Sequence, residues 1–369
     1  MKPLSKRLSA ANSLLAPYAV AHGTHLGREH PEEEDDTRFP FQRDRDRIIH
    51  TQAFRRLKHK TQVFVAGKGD HYRTRLTHTM EVAQISRDMT RTLGLNEDLA
   101  ECIALAHDLG HPPFAHAGEE ALHKEMARHN LRFEHNLQSL RLVTELEERS
   151  KKYPGLNLNR EVLEGLMKHQ TIFDPVHNHN LKRAPTLEAE IVNLADEIAY
   201  TAHDTDDGLR AEVLSLDAMR HIPLFAEALE RTSEKKTEVR GSIIHLLVMD
   251  VYEETEKRLK GEQITSLDAV YAAGGELVAF SEEMTMKLQT LREFLWQHFY
   301  QSPAVLEHSK KGQETIRTLF RAYEKSPPEK VLALQKRMGS SLPEAIKDYI
   351  AGMTDGFALE NMRGLSVSP

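Results

Sequence analysis

The chain has 369 residues, a formal charge of −7 and one cysteine. Its length suggests about two or three domains built on roughly one or two sizeable cores, and its acidity excludes a global drive toward nucleic acid or anionic membranes. The lone thiol, Cys102, permits no internal disulfide and fits a reducing compartment. No apolar run approaches a membrane span and the first residues lack the apolar stretch of a secretion signal, so a soluble, cytoplasmic protein with no membrane partner is expected.

Residues 1–40 read as irregular, with the acid run Glu32-Glu33-Glu34-Asp35-Asp36 as a solvated, mobile segment. A basic stretch follows, from Arg43, Arg45 and Arg47 to Arg55, Arg56, Lys58 and Lys60. Helical spacing spreads these residues over several faces, so most are expected to be exposed or in structural ion pairs. Val63-Phe64-Val65 and Tyr72-Arg73-Thr74, flanking Gly67-Lys68-Gly69-Asp70, predict a short β-hairpin, the one trusted β signal.

Between Thr77 and Leu93, the residues Val82, Ile85, Met89 and Leu93 fall on one helical face, and His78 joins it one turn earlier. Gly94 ends that helix. Asn96 is the N-cap expected for the next, with Glu97 and Asp98 in its first turn. Leu99 and Ile103 lead along its buried stripe to His107, and Gly110 with two prolines stops it just after His107-Asp108. A polar loop is expected from Asn157 to Pro185, including His177, Asn178 and His179. The next helix, Leu187 to about Asp204, carries Asp196, Tyr200 and Asp204 at four-residue steps. Residues beyond it read as a second helical region with a charged break at Ser233-Glu234-Lys235-Lys236. An all-α protein is expected: an irregular segment over residues 1–40, a helical core with the small hairpin over 41–210, and a C-terminal helical region over 211–369.

His107-Asp108 pairs an imidazole with a carboxylate, a combination that suits a divalent first-row metal. Taken singly, a histidine on an apolar face is more often a satisfied core residue, and an Asp a cap or ion-pair partner. Together, His78, His107, Asp108 and Asp196 bring four donors to inward helix faces. Asp196 is the sharpest of them, because a carboxylate in Ile191-Val192-Asn193-Leu194-Ala195-Asp196-Glu197-Ile198 is costly to bury without a partner. Ten of the 21 histidines lie between His50 and His135, which points to a site there.

The order His78, His107-Asp108, Asp196 resembles the signature of the HD superfamily of metal-dependent phosphohydrolases. Longer blocks are similar to bacterial deoxyguanosine triphosphate triphosphohydrolase-like proteins: Arg43–His50, Ala53–Phe64, His71–His78, Phe133–Leu140 and Ala195–Asp204. The match runs from about Leu15 to Arg210. It implies an HD-domain helical bundle with a divalent ion (Mn, Mg, Fe, Co, Ni or Zn) held by His78, His107, Asp108 and Asp196. It further implies hydrolysis of deoxynucleoside triphosphates to deoxynucleoside and tripolyphosphate, by metal-activated water attack on the α-phosphorus.

In that resemblance His116 and Glu119 form a catalytic pair, and their three-residue spacing lets them face one another on a helix turn. His111 and His135 would lie close to the phosphates; a helix C-terminal cap for His111 and a structural hydrogen bond for His135 stay open as the plainer readings. Arg56 and Arg75 match phosphate positions, and Gln62 a position near the sugar or base. Tyr200 would pack on the deoxyribose and Asp204 orient a neighbour. Glu197 departs from the pattern, since some relatives carry a basic residue there. A homo-oligomer and a nucleotide effector are further expectations. The alternatives are another HD phosphohydrolase, a nucleotidase or phosphodiesterase, or a non-catalytic nucleic-acid-binding regulator using the basic stretch. For the last, the few interleaved aromatics provide poor stacking platforms, although a secondary nucleic-acid contact fits either enzyme reading.

Overall fold

The computed structural model describes residues 3–33, 35–62, 73–168 and 184–365. Among these, eighteen α-helices follow one another with isolated β-bridges in place of strands, as an all-α chain requires. The expected hairpin falls mostly on residues 63–72, outside the described residues; on either side of it Thr61 and Thr74 form an antiparallel bridge. His177, Asn178 and His179 also lie outside the described residues. No helix among the described residues is long and apolar enough to cross a membrane.

The helices sort into two compact units, each assembled from separate stretches of chain. The first comprises Met1–Asp46, Met80–Leu105 and Asn157–Ser302; the second comprises Arg47–Thr79, Ala106–Leu156 and Pro303–Pro369.

The first unit is organised around the Leu187–Arg210 helix, which Thr186 caps by accepting the Ala189 N–H. Ile191, Val192, Ala195, Ile198 and Ala199 are fully buried along it. It packs on the Val239–Gly261 helix, which pairs in turn with Pro223–Lys235. Lys236 turns left-handed (φ 54°) and ends that helix at the charged break read from the sequence. The central helix runs past Asp204 to Arg210 because Gly208 lets Leu214 and Phe299 close over its last turn, where an added Cβ would meet Leu214 Cδ1 at 2.5 Å.

Two segments read as non-helical each contain a helix. Residues 1–40 include a helix over Leu4–Asn12, and buried carboxylates tie down the stretch after it. Glu188 accepts the Val20 N–H (3.0 Å), Glu161 accepts the N–H groups of His25 (2.5 Å) and Leu26 (2.7 Å), and Asp44 receives Arg28 at 2.5 Å. Within the acid run, Glu32 binds Arg43 at 3.0 Å and Asp35 accepts from Thr37 and Arg38, so these acids are paired rather than simply solvated. In the expected Asn157–Pro185 loop, Arg160–Met167 is helical, with Val162 and Leu166 buried one turn apart.

The second unit is built on the packing of Ala115–Ala127 against Pro303–Lys325. Ile316, Leu319, Phe320 and Tyr323 recur at helical spacing and meet Leu122, Met126, Ile346 and Ile350 in one buried cluster. A capping box, Ser341 with Glu344, starts the Leu342–Ala351 helix that completes this core.

Candidate active site

Local sequence sets the donors in place. Gly94 adopts φ +70° and ends the Arg75–Thr92 helix near its expected point. Asn96 Oδ1 caps Glu97–Ala106, accepting the N–H groups of Asp98 (3.1 Å) and Leu99 (3.3 Å). That helix stops at Ala106, one residue short of His107, so the His107-Asp108 pair stands in the following turn and not within the helix. The turn is secured by Ser139, whose hydroxyl donates to His107 O (2.6 Å) and accepts from Gly110 N (2.8 Å). Only glycine fits at 110: a Cβ there would sit 2.2 Å from Ser139 N and 2.5 Å from His135 O.

His78, His107 and Asp108 are all buried, and one donor atom from each lies within 4.8 Å of the others. The two imidazoles meet edge-on at 5.9 Å. Asp108 Oδ2 accepts from Arg75 Nη1 at 2.8 Å, a fully buried pair, while Oδ1 stands 3.6 Å from His111 Nε2 and 3.7 Å from His107 Nε2. Two nitrogens and a carboxylate oxygen from buried side chains fit a divalent first-row ion. The same spacing links Asp108, His111 and His135 into a second group, and His111, His116 and Glu119 into a third. Asp196 is buried on the Leu187–Arg210 helix of the first unit.

His111 stacks on His135 with ring centres 3.9 Å apart, and burial followed by the charges of Arg75 and His135 holds its pKa well below the usual histidine range. His116 is the exposed member, in the first turn of Ala115–Ala127, with Nδ1 3.7 Å from Glu119 Oε2. The expected His116–Glu119 pairing is present, but Glu119 binds His135 more closely: Oε1 accepts the His135 N–H at 2.7 Å and lies 2.9 Å from His135 Nδ1. Burial works to raise the Glu119 pKa, yet the His135 charge, the neighbouring His116 and the hydrogen bonding of His135 hold it well below the carboxylate range. At the start of this helix, its N-cap Phe114 and first residue Ala115 are left-handed (φ 67° and 53°), a conformation costing about 1–2 kcal/mol per non-glycine residue.

Of the expected substrate contacts, Arg56 is exposed, donating to Gly352 O (2.9 Å) and Gln52 Oε1 (3.1 Å). It lines a cleft of about 660 Å³ in the second unit with Lys60, Gly110, Gln138 and Asp348. Gln62 is half-buried, and its Oε1 has no hydrogen-bond partner among the described residues. In the first unit, Tyr200 lies under the Arg292 guanidinium (5.8 Å to the ring centre), Asp204 accepts from Tyr300 Oη, and Glu197 pairs with Arg292. Tyr200, Arg292, Trp296 and Tyr300 line a cavity of about 220 Å³ there. Sequence reasoning missed Lys60, Ser139, Arg292 and Tyr300. Lys60 is fully buried, donates to His111 O (2.5 Å) and Ala351 O (2.8 Å), and is pushed down to about 7 by burial and then by Arg75. The only signal for it was membership of the basic run.

A helical unit presenting a histidine–aspartate donor set at one turn defines a class, and the HD domain model matches residues 75–201, spanning His78 to Asp196. The phosphohydrolase-associated domain model matches residues 278–364. Among relatives, the deoxyguanosinetriphosphate triphosphohydrolase-like protein of Geobacter sulfurreducens is 44% identical, covering 95% of this chain and 94% of its own. Those of Azoarcus sp. (44% identical, 95% and 96% covered) and Brucella anthropi (43% identical, 95% of each) are equally similar. The chain belongs to the deoxyguanosinetriphosphate triphosphohydrolase-like family of HD-domain hydrolases.

Proposed function

We propose that the chain is a metal-dependent deoxynucleoside triphosphate triphosphohydrolase that cleaves its substrate at the α-phosphorus, yielding a deoxynucleoside and tripolyphosphate. The observation that carries this reading is the unbroken line of donors in the second unit, from His78, His107 and Asp108 through His111 and His135 to His116 and Glu119. The printed names of the relatives supply the substrate class. A divalent ion would lower the pKa of a bound water toward neutrality and neutralise charge on a phosphoryl oxygen. His78, His107 and Asp108 are assigned to hold it, and the sequence pattern adds Asp196 as a fourth ligand.

The departing O5′ needs a proton, and His116 is assigned to give it. It is exposed to incoming substrate, and the Glu119 carboxylate beside it, 3.7 Å from Nδ1, is assigned to orient its ring. His111, with His135 stacked on it, is assigned to the phosphates. Arg75 keeps Asp108 oriented through Nη1, and its Nε, without a hydrogen-bond partner among the described residues, is assigned to a phosphate oxygen. Arg56 is the second phosphate contact. Gln62 Oε1 can accept a sugar hydroxyl, and Tyr200, with Asp204 holding Tyr300 behind it, is assigned to the deoxyribose face.

Incubating the purified protein with a mixed dNTP pool and Mn or Mg tests the reading. Deoxynucleosides with tripolyphosphate are expected. Release of orthophosphate, or hydrolysis of mononucleotides or cyclic nucleotides in place of dNTPs, would move the chain to another HD phosphohydrolase activity.

A further inference from the structure

We infer that Asp355, near the C-terminus, is a positioning residue for the helix that carries His116 and Glu119; this rests on the reading of His116 as proton donor. Its buried carboxylate accepts from both flanks of the donor line. One oxygen takes the Phe114 N–H at 3.0 Å; the other takes the Thr61 N–H at 3.0 Å and the Thr61 hydroxyl at 2.6 Å. Phe114 stands two residues before His116, and Thr61 immediately precedes Gln62.

The contact matters because of the backbone it meets. Phe114 and Ala115 both adopt left-handed conformations, which non-glycine residues keep only where their surroundings over-determine them. The surroundings come from the C-terminal part of the chain. Gly312 allows the approach of Phe114, since a Cβ on it would lie 2.6 Å from Phe114 Cβ. The His308 ring meets the Phe114 ring edge-on at 6.1 Å. Asp355 holds the Phe114 amide, and it lies in a segment anchored nearby: Lys60 joins Ala351 O to His111 O, and Arg56 binds Gly352 O. The region matched by the phosphohydrolase-associated model thereby gains a specific task. It fixes the two strained residues that set the direction from which the Ala115–Ala127 helix presents His116.

The test uses the full chain with Asp355→Ala and His116→Ala, singly and combined. Asp355→Ala should lower kcat by about 10²-fold, the scale of a misplaced catalytic group, with KM within about threefold and bound metal unchanged. The double variant should be no slower than His116→Ala alone, because nothing is left to position. Losses that multiply mark a merely structural role and overturn the inference, as does a wild-type kcat in Asp355→Ala. If the alanine variant does not fold, Asp355→Asn, which keeps the shape and one accepting oxygen, takes its place in the same cycle. Amide exchange gives a readout independent of activity: the Phe114 N–H should exchange at least about tenfold faster in Asp355→Ala while Leu122 is unchanged. Unchanged exchange at Phe114 overturns the inference. If the wild-type protein releases no tripolyphosphate from any dNTP, the functional reading fails, and the exchange experiment alone decides whether Asp355 fixes this turn.

Discussion

Asp108 meets several demands at once. It offers a donor beside His78 and His107, receives the buried Arg75 guanidinium, and faces His111. Removing one partner of such a buried pair is costly, because the other charge is stranded. Asp108→Ala should therefore lose metal and activity together, and His107→Ala should do the same, read by metal analysis and turnover. His116 lies outside that donor group and is exposed. His116→Ala should retain the metal while turnover falls on the order of 10²–10⁴-fold, the usual contribution of a general acid. A His116→Ala protein with wild-type turnover would remove it from the reaction.

At the scale of elements, two turns should respond sharply. Gly110 permits the close crossing of the His107–Gly110 turn over the start of the His135–Arg141 helix, where a Cβ would strike backbone atoms and not a flexible side chain. Gly110→Ala should destabilise by at least about 1–3 kcal/mol, the cost of overpacking, and weaken metal binding, both measurable by denaturant titration with and without Mn. Glu190 ties the Leu187–Arg210 helix to the Leu277-Val278 stretch, accepting both N–H groups at 3.0 and 2.7 Å. Burial pushes its pKa from 4.5 up to about 7. Between those values the folded chain holds a proton that the unfolded chain has shed, so this group's contribution to stability falls as pH rises through the window. Glu190→Gln keeps an accepting oxygen without the ionisation. Its urea midpoint should change less between pH 5 and pH 7.5 than that of the wild type; equal slopes would contradict the assignment.

For the whole molecule, metal binding and folding are linked. An ion that binds only the folded protein stabilises it by RT ln(1 + [L]/Kd), about 2.7 kcal/mol at 100-fold excess over Kd. Mn should thus raise the melting temperature of the wild type, chelator should reverse the rise, and Asp108→Ala should show neither effect. Much of this arrangement was legible in the sequence because it is locally encoded: the stripe from His78 to Met89, the Asn96 cap and the Gly94 stop are periodicity and capping, while the His116–Glu119 pair came from the family resemblance, with which its spacing agrees. What stayed hidden depends on residues that meet only after folding. Ser139 bridges His107 and Gly110 from another helix, Glu119 binds His135 across a loop, and Asp355 reaches Phe114 from the far end of the chain. The ties of the N-terminal segment stayed hidden for the same reason, since the buried Glu161 and Glu188 that hold it lie far along the chain. Tyr200 and Asp204 could be placed on one helix face by spacing, but their partners Arg292 and Tyr300 come from far along the chain, and no local spacing links them.

The most direct test of the central claim is hydrolysis of a dNTP in oxygen-18 water with Mn, followed by mass spectrometry of all products. Attack at the α-phosphorus with departure of O5′ predicts an unlabelled deoxynucleoside and one oxygen-18 atom in tripolyphosphate. Label in orthophosphate, in pyrophosphate or in a deoxynucleoside monophosphate would contradict it.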